Sequence, residues 1–218
     1  MNIRIIIAII LLFTLSTITL DPKIVLSKFK INKINIENNF LLKEVEIKNL
    51  LIDIYSQNLL LLKNKEIENA LMQDSLIGSF KIKKKYPDTL NIKIFEKKPV
   101  VILQTKKNKF YLTEKNELIK FKMYQEFKDL PYVLGNRKEF GTFYVSLKKI
   151  NFPLNLIKKY TLYELNRWDL ETVDGNTIKL PPKNYTQYLK NYLEMQNTNS
   201  FQKYKIFDFR INDQLILK

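Results

Sequence analysis

The sequence predicts an α+β chain: an N-terminal apolar helix, a β-α-α-β-β module, then a mainly antiparallel β domain with flanking helices. Three observations predict it. The chain opens on an uncharged run. Periods of two and of 3.6 then follow one another in a fixed order up to residue 98. Beyond that, short alternating segments recur between turn-forming residues. The 218 residues suit one large or two small domains, and a hydrophobic fraction of 45% is enough for a core.

The opening "MNIRIIIAIILLFTLSTITLDP" has Arg4 and then no charge from Ile5 to Leu20. Ile3 to Leu20 would span about 27 Å as a helix, near the ~30 Å hydrocarbon thickness of a bilayer. Arg4 argues for a cytoplasmic N-terminus. The competing reading is a cleaved signal peptide, but the run ends Thr17-Ile18-Thr19-Leu20 without a convincing small-residue cleavage site. The favoured reading is a single-pass anchor over 5–20, with a cytoplasmic tail at 1–4, a linker at 21–28 and the bulk of the chain outside the cytoplasm.

In "FKINKINIEN", Ile34 and Ile36 alternate with Lys33, Asn35 and Glu37, which predicts a half-buried strand. "FLLKEVEIKNLLIDI" predicts a helix with Leu42, Val45, Leu50 and Ile54 on its apolar stripe, and "KNKEIENALMQDSL" a second one with Ile67, Ala70 and Leu71. Two strands close the module, one with Phe80 and Ile82 on one face, the other with Leu90, Ile92 and Ile94 inward. Pro87-Asp88 turns between them. The seven lysines of "KIKKKYPDTLNIKIFEKKPV" flank this hairpin. They suit the wet face and edges of a sheet, with attraction to anionic headgroups near the anchor as the functional alternative.

From Pro99 two or three short strands are expected, with Asn116 left-handed in the "EKN" turn. "DLPYVLG" reads as a loop and "FYVSLKKINFPLNLI" as a short segment ended near Pro153. Three strands follow, with Asp174-Gly175 the strongest hairpin signal. Tyr185, Tyr188, Leu189 and Tyr192 then mark a helix. The end alternates around an Asn212-Asp213 turn.

Composition narrows function. With no Cys and no His, thiol catalysis, disulfides, His-ligated metals and Ser-His-Asp triads are excluded. The net charge of +15 invites an anionic partner, yet only four of 37 cations are arginine, the better reader of phosphates and bases. No Gly-rich phosphate loop is present. Asp169 and Asp208, beside Arg167 and Arg210, read as ion pairs or turn bonds at a sheet end. The chain reads as non-enzymatic, without cofactor, metal, small-molecule substrate or nucleic acid.

Several runs stand in series: "YPDTLNIKIFEKKPV", "FYLTEKNELI", "DLPYVLG", "RWDLETVDGNTIKLP" and "IFDFR". In this order they resemble the FtsQ/DivIB family of bacterial cell-division proteins. Tyr86, Pro87, Leu90, Glu96, Pro99 and Val100 match the close of that family's POTRA domain, here 29–98. Leu130, Pro131 and Gly135, then Arg167, Trp168, Asp169, Leu170, Gly175, Ile178, Leu180 and Pro181, match its later β domain, here 99–218. The final Phe207, Asp208, Phe209 and Arg210 match more loosely. The "EKN" turn replaces the family's usual Asp-x-x-Gly hairpin.

The resemblance implies a non-enzymatic divisome scaffold at the septum of the inner membrane, linking early and late division proteins. It implies that FtsB/FtsL-like partners bind through the last strands. The reading therefore assigns the partner edge to Phe207, Asp208, Phe209, Arg210, Ile211, Gln214, Leu215, Ile216, Leu217 and Lys218, because a terminal edge strand exposes a backbone ladder that a partner extends. The alternatives are that this strand lies inside the sheet, and that the chain is a POTRA-containing adaptor in envelope assembly.

Overall fold

A computed structural model describes residues 3–17, 27–196, 198, 201–211 and 214–218. The apolar run forms helix α1, Ile3–Thr17, about 22 Å long. Among the described residues no helix is long and apolar enough to cross a membrane. The rest of the expected span, up to Leu20, lies outside the described residues. The chain divides into two compact units, Met1–Glu96 and Lys97–Lys218.

The first unit contains β1 (Lys33–Glu37), α2 (Glu44–Leu50), a 3-10 turn (Ile52–Ile54), α3 (Asn64–Leu71), β2 (Ile77–Lys85) and β3 (Thr89–Glu96). The predicted β-α-α-β-β order is present. The sheet runs β1-β3-β2, with β1 parallel and β2 antiparallel to β3. The period of two sets its faces. Ile34, Leu90, Ile92 and Ile94 are buried under Ile47 of α2 and Ile67 and Leu71 of α3. The opposite face carries Lys33, Lys81, Lys83, Lys85 and Lys93. Lys81 and Lys93 stand directly opposite each other, and both ammonium groups lie just under 6 Å from the Phe95 ring centroid.

The expected stripe of α2 needs correction. Val45 is 67% exposed, whereas Ile47 and Leu51 are fully buried. The helix begins only at Glu44, after an extended Lys43, so Leu42 is not in register with it. Ile54 belongs to the separate 3-10 turn. A single helical period over Leu42–Ile54 crosses non-helical backbone.

The second unit is one sheet of nine strands: β4 (Pro99–Gln104), β5 (Lys109–Thr113), β6 (Leu118–Lys120), β7 (Tyr132–Leu134), β8 (Ile157–Tyr163), β9 (Arg167–Thr172), β10 (Thr177–Lys179), β11 (Ile206–Asp208) and β12 (Ile216–Leu217). Their spatial order is β12-β11-β10-β9-β8-β7-β4-β5-β6. Five neighbouring pairs are antiparallel and three parallel, so the sheet is mixed with an antiparallel majority. The helices are α4 (Arg137–Lys149) and α5 (Tyr185–Gln196).

The register draws one apolar row across seven strands: Leu103, Val133, Tyr160, Leu170, Ile178, Phe207 and Leu217. The two helices pack on this face. Phe143 of α4 stacks on Trp168 with ring centroids 4.8 Å apart, and Tyr192 of α5 meets Phe207 edge-on at 4.9 Å. On the opposite face, at the far end of the sheet, Tyr111 is covered by Phe121 and Phe127.

Three segments differ from expectation or sharpen it. "DLPYVLG" holds β7 rather than a loop throughout. The uncertain segment is α4, started by the Asn136 side chain, which accepts from the Glu139 N–H at 2.9 Å. The two turn expectations hold: Asn116 has φ 61 and Gly175 φ 81. The motif glycine Gly135 has a different reason, since a Cβ there would stand 2.9 Å from Leu162 Cβ and 3.6 Å from the Trp168 ring.

Glu96, at the end of β3, explains one motif position. Its carboxylate accepts from the N–H groups of Phe40 (3.1 Å), Leu41 (3.0 Å) and Leu42 (2.9 Å). One charged side chain thus ties the loop before α2 to the sheet. Glu96→Ala is expected to cost about 2–3 kcal/mol, with Glu96→Gln intermediate because one carbonyl acceptor remains. Urea unfolding checks the total, and accelerated amide exchange at Phe40, Leu41 and Leu42 localises it.

Candidate functional site

The last strands do not form one exposed edge. β11 is interior, flanked by β10 and β12. Phe207 and Phe209 are 0% and 2% exposed, the first against Tyr192 and the second against Tyr188. Of the residues assigned to the partner edge, these two belong to the core, and truncating them acts on folding. Asp208 is also buried. Arg210, Ile211, Gln214, Ile216 and Lys218 are exposed, whereas Leu215 and Leu217 are half-buried and pack on the core. The Asn212-Asp213 turn lies outside the described residues.

The edge is β12. The Lys218 N–H donates to Ile206 O (3.1 Å) and the Ile206 N–H to Lys218 O (2.9 Å), so this pair is the hydrogen-bonded one. Antiparallel ladders alternate, so the N–H and C=O of Leu217 point away from β11, off the end of the sheet. Its side chain still anchors the strand, because Leu217 closes the apolar row.

The face opposite the helices is charged near this edge. Asp169, Lys179, Asp208 and Ile216 occupy one cross-strand row over β9, β10, β11 and β12. Asp208 is gripped by Arg210: Nε to Oδ1 at 2.8 Å, Nη2 to Oδ2 at 2.6 Å, and the Arg210 N–H to Oδ1 at 3.1 Å. This grip holds the Asp208 carboxyl below the usual carboxylate range. Asp169 behaves oppositely. Burial pushes its carboxyl up, against the pull of Arg167, Lys179 and Arg210. Arg167 Nε stands 3.7 Å from Asp169 Oδ1, too far for a hydrogen bond, and both atoms are buried without a hydrogen-bond partner. The Arg167 guanidinium lies 4.5 Å over the Tyr163 ring. The expected pairing of these carboxylates with arginine is present, tight at Asp208 and loose at Asp169.

Sequence reasoning missed the tip of the β8–β9 hairpin. Leu165 is 85% exposed with φ 59, and Asn166 follows with φ 56. A left-handed leucine costs roughly 1–2 kcal/mol. Tyr163, Leu165 and Arg167 border an open cleft of about 380 Å³ with Pro182. Arg210 and Asn184 border a second, of about 390 Å³, that also reaches Pro182. A wider cleft, about 950 Å³, lies over α4 and has one carboxylate on its wall, Glu114, which pairs with Lys148.

The two aspartates predict opposite pH behaviour. The depressed folded pKa of Asp208 contributes stability above the ordinary Asp range, and that stability is lost as pH falls through the folded value. The raised folded pKa of Asp169 costs stability at neutral pH and relieves it as pH falls. Asp208→Asn is therefore expected to lose about 1–2 kcal/mol at neutral pH, a difference that vanishes in strong acid. Asp169→Asn should hold or gain stability at neutral pH. Urea midpoints across pH compare the two.

Comparison with known proteins follows the same elements. Residues 29–97 match the family model described as POTRA domain, FtsQ-type. The chain is 29% identical over 186 residues to cell division protein FtsQ of Rickettsia conorii, covering 84% of this chain and 69% of the relative. The FtsQ of Rickettsia prowazekii gives the same identity and coverage. The FtsQ of Agrobacterium fabrum is 23% identical over 194 residues, covering 87% of this chain and 61% of that protein. A solved extracytoplasmic domain of the division protein DivIB from Geobacillus stearothermophilus aligns at 14% identity and a TM-score of 0.34, over 50% of this chain and 98% of that one. Residues 29–97 are thus an FtsQ-type POTRA domain by sequence match, and over most of its length the chain is similar to the FtsQ cell-division proteins.

Proposed function

We propose that this chain is a membrane-anchored, non-enzymatic scaffold of the division apparatus, and that it holds FtsB/FtsL-like partners at the β12 edge. The FtsQ-type POTRA match and the similarity to FtsQ cell-division proteins support the division role. The uncharged run after Arg4 supports a single span through the inner membrane at the septum, with the N-terminus in the cytoplasm and both folded units outside. The observation that carries the partner site is the outer side of β12, which pairs with no strand among the described residues. Its backbone offers a donor and an acceptor at Leu217, and the exposed Ile216 lies beside them. A partner segment adding there as a tenth strand would bring alternate side chains over Ile216 and Arg210.

Two substitutions test this. Leu217→Pro removes an N–H that makes no bond within the sheet, a position where an edge strand accepts proline. Ile216→Lys changes the exposed face beside the ladder. With the full chain in detergent and the extracytoplasmic segment of an FtsB-like protein as titrant, Leu217→Pro is expected to abolish saturable binding and Ile216→Lys to weaken it. Urea midpoints should stay unchanged for Ile216→Lys and fall for Leu217→Pro, and Leu217→Ala, which gives up the same packing against the core but keeps the N–H, is the control that should retain binding. Undiminished binding by a folded Leu217→Pro variant would sink the edge assignment.

A further inference from the structure

The first unit has a pole where three separate segments meet. Residues 27–33 lead into β1. The 56–62 loop lies against them through Leu59 N–H to Phe29 O (2.7 Å) and Ile31 N–H to Gln57 O (2.9 Å). The β2–β3 turn joins through Asn32 N–H to Asp88 O (3.0 Å), and Phe29 meets Tyr86 edge-on at 6.1 Å.

The chemistry of this pole is two-sided. In the run "LLLL", Leu59 and Leu62 are buried, but Leu60 and Leu61 are 45% and 69% exposed. The Asn58 side chain holds them out by accepting from the Leu60 N–H at 2.9 Å. Tyr86, at the neighbouring turn, is 54% exposed. Around these apolar tips stand Lys28, Lys30, Lys33 and Lys85, all exposed. The acid among them, Asp88, is half-buried and accepts from the Thr89 hydroxyl. Exposed leucines and a tyrosine ringed by lysines match the water–lipid boundary, where aromatic rings sit at headgroup level and lysines meet anionic phosphates.

Chain connectivity selects the bilayer over other anionic surfaces. Nine residues separate Thr17 of α1 from Ser27, so the two lie at most about 35 Å apart. The pole is the part of the unit that those residues enter. We propose that it docks on the anionic surface of the membrane that holds α1. Leu60, Leu61 and Tyr86 would dip into the interface while the four lysines engage phosphate headgroups. This inference rests on the anchor reading above, and it assigns an orientation: β2 and β3 rise from the membrane, with Glu96 at the distal end.

The test uses the full chain, which has no native cysteine. Leu61→Cys carries a polarity-sensitive fluorophore, and Ser79→Cys, about 20 Å along β2 from Lys85, carries the control. Both are reconstituted into vesicles of phosphatidylcholine alone or with phosphatidylglycerol, some with nitroxide-bearing lipids as quenchers. The Leu61 probe is expected to shift to the blue and be quenched in the anionic vesicles, and the Ser79 probe to remain as in water. Each Lys→Gln change among the four should lower the docked-to-undocked ratio about fivefold.

Flotation of the vesicles reads insertion of the anchor independently. A chain that floats while its Leu61 probe stays as polar as the Ser79 probe overturns the docking and leaves the anchor standing. A chain that does not float overturns the anchor reading and the docking with it. A Leu61 probe that responds to polyglutamate but to neither bilayer overturns the lipid assignment in favour of an acidic protein partner.

Discussion

A nine-stranded sheet with its two helices on one face buries that face and, toward the β12 edge, leaves the other wet, and this half of the second unit is organised by that asymmetry. The buried side is the row from Leu103 to Leu217, one residue per strand across seven strands. Large side chains in such a row are each worth about 1.5–3 kcal/mol when fully buried. That scale explains how a strand of two residues persists at the edge: β12 is held by Leu217 closing the row, with Leu215 packed beside it, more than by its few ladder bonds. It also explains why Phe207 and Phe209, which look like contact residues in the sequence, are withdrawn from the surface.

The wet face follows from the same register. With Leu170, Ile178 and Phe207 inward, Asp169, Lys179 and Asp208 fall in line on the other side. Alternating sign makes that line tolerable, since opposite charges facing across strands attract. The line also dries its own members. Asp169 is screened from water by its neighbours but lacks a short bond to Arg167, so desolvation dominates there. Asp208 has the Arg210 fork, and the ion pair dominates instead. In the first unit the like-charged pair Lys81 and Lys93 lacks that relief. The Phe95 ring lying close to both ammonium groups offsets part of their repulsion.

Much of this was legible in the sequence, and the misses have local causes. Strict alternation gave β3, and turn chemistry gave Gly175 and Asn116, because those signals depend on neighbouring residues alone. β7 was invisible: three residues after Pro131 are too few to alternate. Helix α4 has a readable start in Asn136-Arg-Lys-Glu139, an N-cap residue with an acid three positions on. The stripe of α2 failed where regular backbone was assumed outside the helix. At the candidate site, the terminal alternation was visible, but which of two strands forms the edge depends on β10 pairing in parallel with β11, a long-range contact that no local pattern encodes. Nothing local marks the Leu60–Leu61 tip, since exposure within a four-leucine run depends on what packs over its ends.

The brevity of β12 bears on how a partner would be recognised there. A long bare edge invites indiscriminate pairing, and a two-residue edge limits it. The same brevity limits affinity. Two or three added backbone hydrogen bonds contribute about 1 kcal/mol each, whereas micromolar binding needs roughly 8 kcal/mol. On the proposed reading, most of the affinity would then come from side chains meeting Ile216, Arg210 and the hairpin tip around Leu165. The ladder would set the direction and register of the incoming strand. Those side chains lie on the wet face, so the asymmetry that buries Phe207 and Leu217 also leaves the groups that would discriminate between partners in solvent.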